Sequence, residues 1–497
     1  MRQIPPEIWL EVVEELPRED LGSFGLVDRA FSRVARPSLF RYFRFTPFDV
    51  VDGEATLPAE AVVQKRRNRL QFWLSPAVAP LVRECYLHPL ERWQASDSDV
   101  AVRSVGDPLM LVYDFARDFH RLTNLHILNV AQSCAIQLLV DQIAVATTLR
   151  DFRISDTYKL VTPLPSAVIH PSPNLRIQKA TFESDLTRED GIRAWAAVLD
   201  PVHLQSIKLR CGFRAWSENP SSVPVFPGVK RLDIRLPWIR FQNLRDILPK
   251  FPGVERFTIR GTVENDESAQ LKILSDLAAG CRPFIAALRR LETSEEFLQT
   301  LLPLATNLTY LDIDPISDCS GEEILDYLPN DKMPSVTYLQ LRLERLDATE
   351  LQRILERFPG TQELRLDVFH SYPYLTTPAI PISVPTRLFK RLPAMSTVVP
   401  QLHSLAISYV FLCDEEEGLW KSRAQKNAEK MRDAILASWP ALTSLWLGGH
   451  DYLITWRRDC GGYVEEMILA EEDSQAEVLN WGDYELDGWW VGRQRTW

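Results

Sequence analysis

Cysteine is scarce. Seven occur in 497 residues, at 85, 134, 211, 281, 319, 413 and 460. An odd number with no close pair speaks against a disulfide framework or a zinc site and suits a reducing compartment. Long apolar runs are missing as well: no stretch of 18 apolar residues occurs, so no membrane span is expected. The opening MRQIPPEIWLEVVEEL carries acidic residues and does not fit a secretory signal. Gly-rich phosphate loops, GxSxG and HExxH are all absent. His120 and His126 straddle a helix-to-strand join, too loose for a metal pair, and nothing near Asp312 and Asp314 completes a cation shell. Cys85 occupies a buried template position and reads as a small core residue. Neither sign of charge dominates: 56 Lys and Arg against 67 Asp and Glu leave −11, which argues against nucleic acid as a partner. No enzyme activity, cofactor or metal is expected.

What the chain does have is repetition. Phe226–Leu236 reads FPGVKRLDIRL, Phe251–Arg260 reads FPGVERFTIR, and FPGTQELRLDV begins at Phe358. Leu232 and Ile234 alternate with charged residues, which predicts a strand with one buried face. The Pro-Gly before it predicts a turn. Upstream of the second copy, apolar residues at 241, 244, 247 and 248 have helical spacing. One unit is therefore helix, turn, strand, and recurrence near 25 residues predicts stacked units sharing a core. Further strand cores begin at 125, 149, 177 and 204, ahead of those at 229 and 254, with spacings of 24, 28, 27, 25 and 25. Others follow at 288, 308, 336, 361, 402 and 442, with long gaps around residues 370–399 and 414–430.

The first 45 residues differ from this pattern and predict a small helical unit. Pro5-Pro6 pre-set a helix start. Ile8, Val12 and Leu16 give the helix one apolar face, and Pro17 ends it. Asp20 and Asp28 are placed to cap two more helices, and Pro37 to open a fourth that carries Phe40 and Phe43. So many large apolar residues need a cover. Composition allows two readings: a cap docked on the repeats, or a docking face for another protein.

The residues themselves resemble a known family. Ile4-Pro5-Pro6-Glu7-Ile8, Leu16-Pro17-Arg18-Glu19-Asp20-Leu21, Leu26-Val27-Asp28-Arg29-Ala30-Phe31 and Pro37-Ser38-Leu39-Phe40 resemble an F-box. Ile4 replaces the usual Leu, and Asp28 sits where Cys or Ser is common. The resemblance implies docking onto the Skp-type adaptor of a cullin–RING (SCF-type) ubiquitin ligase, with Ile4, Pro5, Pro6, Ile8, Leu16, Leu21, Leu26 and Val27 making or supporting the contact. The later pattern resembles the leucine-rich repeat in an irregular form. It lacks the regular Asn or Cys after the strand.

The expected fold is α/β: an F-box at 1–45, a transition with a first irregular repeat at 46–120, a leucine-rich-repeat solenoid at 121–450, and an acidic cap at 451–497 that keeps several tryptophans. Residues 47–60 and 88–108 read as loops. The run Lys65–Arg69 reads as the wet face of a helix whose other face holds Val63, Leu70 and Trp73. Strand alternation places Lys208, Arg210, Arg231, Arg235, Arg256 and Arg260 on one basic stripe. An acidic or phosphorylated segment of a target protein would suit it, because guanidinium pairs with carboxylate and phosphate through two bonds. The expected role is recruitment of a protein for ubiquitination, in cytosol or nucleus. The alternative is an interaction scaffold whose first helices only cap the array.

Overall fold

The computed structural model describes residues 6–51, 54–92, 104–131, 134, 136–156, 176–184, 199–210, 224–239, 241–263, 280–315, 320–343, 348–369, 392–410, 432–448, 453–458 and 464–469. The expected loops at 370–399 and 414–430, and most of the acidic tail, lie largely outside these residues. The chain divides into two compact units, Met1–Val254 and Glu255–Trp497.

The first unit opens with helices α1 (Pro6–Glu15), α2 (Arg18–Gly25) and α3 (Arg29–Leu39). Asp28 caps α3 by accepting the Phe31 N–H at 2.9 Å. Trp9, Phe24 and Phe31 hold the three helices together, with ring centroids 4.8 Å apart for Trp9–Phe31 and 4.7 Å for Phe24–Phe31. The expected fourth helix does not form. Instead α3 runs through Pro37 to Leu39, and Phe43 lies on a strand. A proline in the last turn removes only one helical hydrogen bond. Phe40 then ends the helix by packing edge-on against Phe72 and Trp73, at 5.8 and 5.6 Å.

Residues 47–60, expected as a loop, contain β2 (Asp49–Val51) and β3 (Glu54–Thr56). With β5 (Leu90–Arg92), which falls in the other expected loop, they form a separate three-stranded sheet. Helix α4 (Glu60–Trp73) buries Val63, Leu70 and Trp73 as its pattern predicts. Its basic run is only partly a wet face. Arg66 is drawn inward to Asp49, and Arg67 reaches Asp114 at 3.5 Å. Asp49 is 3% exposed, and a carboxylate so buried needs a cation beside it.

The main sheet of the first unit runs β1 (Tyr42–Phe45), β4 (Glu84–Leu87), β6 (Ile127–Ala131), β7 (Asp151–Asp156), β8 (Lys179–Ser184), β9 (Ser206–Leu209), β10 (Arg231–Ile239), every neighbour parallel. In the second unit β11 (Arg256–Val263), β12 (Arg290–Thr293), β13 (Tyr310–Ile313), β14 (Tyr338–Leu343), β15 (Glu363–Phe369), β16 (Ser404–Val410) and β17 (Ser444–Gly448) are likewise parallel. β18 (Leu453–Arg458) and β19 (Val464–Leu469) follow antiparallel. Helices lie on the return paths, for example Gln137–Val145, Gly321–Tyr327 and Ala348–Arg357. The fold is α/β, of the leucine-rich-repeat type.

Register follows from one recurring device. The carbonyl just before each rung accepts two consecutive N–H groups from the next: Gln205 O takes Lys230 and Arg231, and Thr309 O takes Thr337 and Tyr338. The recurring Phe-Pro-Gly has its own cause. Phe226 and Phe251 stack at 5.5 Å inside the first unit. A Cβ on Gly253 would stand 2.5 Å from the Pro227 carbonyl oxygen, and one on Gly228 equally close to that of Val202. Only glycine lets one turn settle so closely on the turn before it. Leu232, Ile234, Leu291 and Leu311 are fully buried, each contributing about 1.5–3 kcal/mol by leaving water.

Candidate functional site

Two surfaces carry the residues singled out by sequence. The first is the N-terminal helical unit. Ile4 and Pro5 lie outside the described residues, and Pro6 opens α1. Ile8 and Val12, one turn apart on α1, are 46% and 38% exposed. Leu26 and Val27, between α2 and α3, are 87% and 66% exposed. Leu16 is half-buried and Leu21 is buried. The residues thus divide into two roles. Leu21 helps hold the helices together, while Ile8, Leu26 and Val27 offer apolar surface to solvent. Isolated exposed Leu or Val residues are ordinary, but Leu26 and Val27 adjoin on a turn with their side chains open.

The second surface is the face of each sheet opposite the buried leucines. In the first unit, β8, β9 and β10 align Lys179, Ser206 and Arg231 in one row, and Thr181, Lys208 and Asp233 in the next. Arg210 pairs with Glu183 at 3.2 Å, and Arg235 Nε donates to Asp233 at 3.1 Å. Lys208 stays 3.9 Å from the Asp233 carboxylate, too far for a hydrogen bond. Desolvation lowers the Lys208 pKa; Asp233 opposes this, and Arg210, Arg231 and Arg235 lower it further. Lys179 and Arg231 are exposed and have no ion-pair partner among the described residues.

In the second unit the corresponding face is matched. Arg260 reaches Asp314 at 2.7 Å, Arg342 bridges Asp314 and Asp367 at 3.3 and 3.7 Å, Arg365 meets Asp367, and Arg290 meets Glu292 at 2.9 Å. Arg290 also lies over the Tyr310 ring at 3.8 Å, and Tyr310 stacks on Tyr338 at 4.0 Å. Arg256 alone of the expected stripe here stays exposed. Asp312, at the centre, is 4% exposed and its Oδ1 has no hydrogen-bond partner. Burial pushes its pKa up to about 7; Glu292 and Asp314 add to that, while Arg342 and Arg260 oppose it. Burial likewise drives the Tyr338 phenol up to about 12.

The expected basic stripe therefore resolves into two different surfaces, one with surplus cations and one with ion pairs across rungs. Among the described residues no group of three or more His, Cys, Asp or Glu could hold a metal ion. His120 Nδ1 lies 3.1 Å from the Arg117 carbonyl oxygen, and Cys85 is fully buried, which pushes its thiol pKa up. No helix among the described residues is long and apolar enough to cross a membrane. Sequence reasoning missed Ser206, the small residue between Lys179 and Arg231, and the burial of Asp312. Strand parity places both residues, but only the inter-rung register shows what stands beside them.

No family model and no curated protein matches the chain. Matches occur among solved structures. One is a crystal structure of a TLR13–ssRNA13 complex, 12% identical, with a TM-score of 0.29, covering 74% of this chain and 55% of that one. The chain thus corresponds to about half the length of that TLR13 chain, and the leucine-rich-repeat fold rests on the parallel ladder itself.

Proposed function

We propose that the chain is a substrate-recognition subunit of an SCF-type ubiquitin ligase, with its N-terminal helices docking to a Skp-type adaptor and its repeats holding the target protein. The observation that carries this reading is the exposure of Ile8, Leu26 and Val27 at positions matching the F-box pattern. A helical unit serving only as a cap would turn such side chains toward what it covers. The role is positioning: a lysine of the target held near a partner's active site reacts at a raised effective concentration. The chain itself makes and breaks no bonds.

The competing reading, a scaffold whose helices only cap the repeats, draws on contacts in the same unit. Phe40 packs on Phe72 and Trp73, and Arg36 donates to the Ala77 carbonyl at 3.3 Å. Affinity capture with a purified Skp-type adaptor separates the two. Leu26→Asp/Val27→Asp changes only exposed side chains and is expected to abolish capture while the thermal unfolding midpoint stays in place. Undiminished capture by that variant, or no capture by the unaltered chain, removes the ligase reading.

A further inference from the structure

The outward face of β8–β10 carries Lys179, Lys208, Arg210, Arg231 and Arg235 against only two carboxylates, Glu183 and Asp233. Each carboxylate already has an arginine. Three positive charges are left over across three strands, two spacings of about 4.8 Å. On the matching face of β11–β15, five arginines stand against five carboxylates: Glu292, Asp312, Asp314, Glu363 and Asp367. The surplus is therefore local to one patch and is not a general property of the repeats.

The patch also has a small residue at its centre. Ser206 presents a short hydroxyl between the exposed Lys179 and Arg231, and Lys208 sits one row along the same strand. Lys208 is held short of Asp233, so its N–H groups remain available. It is also crowded by three arginines, a repulsion that an incoming dianion would relieve.

We infer that a phosphorylated segment of the target protein binds here, its phosphate seated over Ser206 between Lys179 and Arg231 with Lys208 completing the clamp. A phosphate offers three acceptor oxygens and close to two charges, which suits three cations around a small residue. A single-stranded nucleic acid fits less well. It would need a continuous basic track with stacking rings, whereas this patch carries no aromatic side chain on its outward rows and is interrupted by Glu183 and Asp233. The inference deepens the target-binding half of the proposed function and rests on it.

The test is fluorescence anisotropy with a fluorescein-labelled peptide carrying one phosphoserine between two glutamates, alongside its unphosphorylated form and a labelled oligothymidylate. The phosphopeptide is expected to bind the full chain, and Lys179→Glu/Arg231→Glu to weaken it at least about tenfold, the loss of one good charge-assisted pair. Lys332→Glu/Arg353→Glu, the same charge change at two exposed positions outside the patch, is expected to leave binding within about twofold, because the effect is assigned to contact with the phosphate and not to net charge. Equal loss in both double variants, equal binding of the unphosphorylated peptide, tighter binding of oligothymidylate, or no phosphopeptide binding would each overturn the inference. Adaptor capture takes no part in this measurement, so a failure of this inference is distinguishable from a failure of the ligase reading.

Discussion

The two units bury the same kind of face and expose different ones. Leu232 and Ile234 in the first, and Leu311 and Ile313 in the second, are equally shut away from water. Opposite them, β8–β10 gather cations that outnumber their acids, while β11–β15 balance cations and acids in number and pair most of them, within a rung or across rungs. Burial sets the strand and says nothing about the other side of it. The outward residues are therefore free to become either a ligand surface or a closed ionic lattice.

That contrast can be broken from the inside first. Leu311→Asp and Leu232→Asp each place a carboxylate in an apolar core, and both should cost more than the about 2–5 kcal/mol typical of truncation to Ala. Denaturant unfolding should show comparable losses in the two variants. A loss confined to one of them would mean that the inward faces are not equivalent.

The outward faces should separate where the inward ones agree. Between an unfolded aspartate's usual value of about 4 and the folded value of about 7, native Asp312 keeps a proton that the unfolded chain has released. Stability therefore falls as pH rises through that window, and the ionised group is destabilising above it. Asp312→Asn should raise the unfolding midpoint at pH 8, and the gain should vanish below about pH 4. Asp233→Asn should do the reverse at pH 8, because it removes the negative charge that Arg235 and Lys208 face. Equal signs in the two variants would erase the distinction drawn between the surfaces.

Smaller effects test the frame on which both faces are hung. Gly253→Ala should cost about 1–3 kcal/mol, since the Pro227 carbonyl cannot retreat without shifting its rung. Ser320→Ala removes one half of the Ser320–Glu323 capping box at the head of helix Gly321–Tyr327 and should cost about 1 kcal/mol. Thermal unfolding monitored by circular dichroism checks both.

Much of this was legible in the chain itself. The alternation around Leu232, Leu291 and Leu339 located most of the parallel rungs, because an inward leucine every second residue is a local signal; β1, expected as helix, and the antiparallel β18 and β19 were not among them. The Phe-Pro-Gly echoes announced stacked turns for the same reason. Proline misled at position 37, where position within the helix matters more than residue type: a last-turn proline costs little. The small sheet of β2, β3 and β5 was missed because it joins segments almost forty residues apart by pairing that leaves no periodic mark. The candidate stripe was visible as a row of basic residues. Its division was not, because Arg260 finds Asp314 and Arg342 finds Asp367 only across rungs.

The register between β15 and β16 has a practical consequence. These strands pair over seven residues, Glu363 with Ser404 through Phe369 with Val410, although 34 residues separate them in the chain. Closing a connection of that length adds little to the cost of closing a short one, since the entropy grows only with the logarithm of its length. A ladder held by rung-to-rung hydrogen bonds can therefore acquire new sequence between its strands without losing its place. That gives evolution room to add sequence between these two strands at little thermodynamic cost.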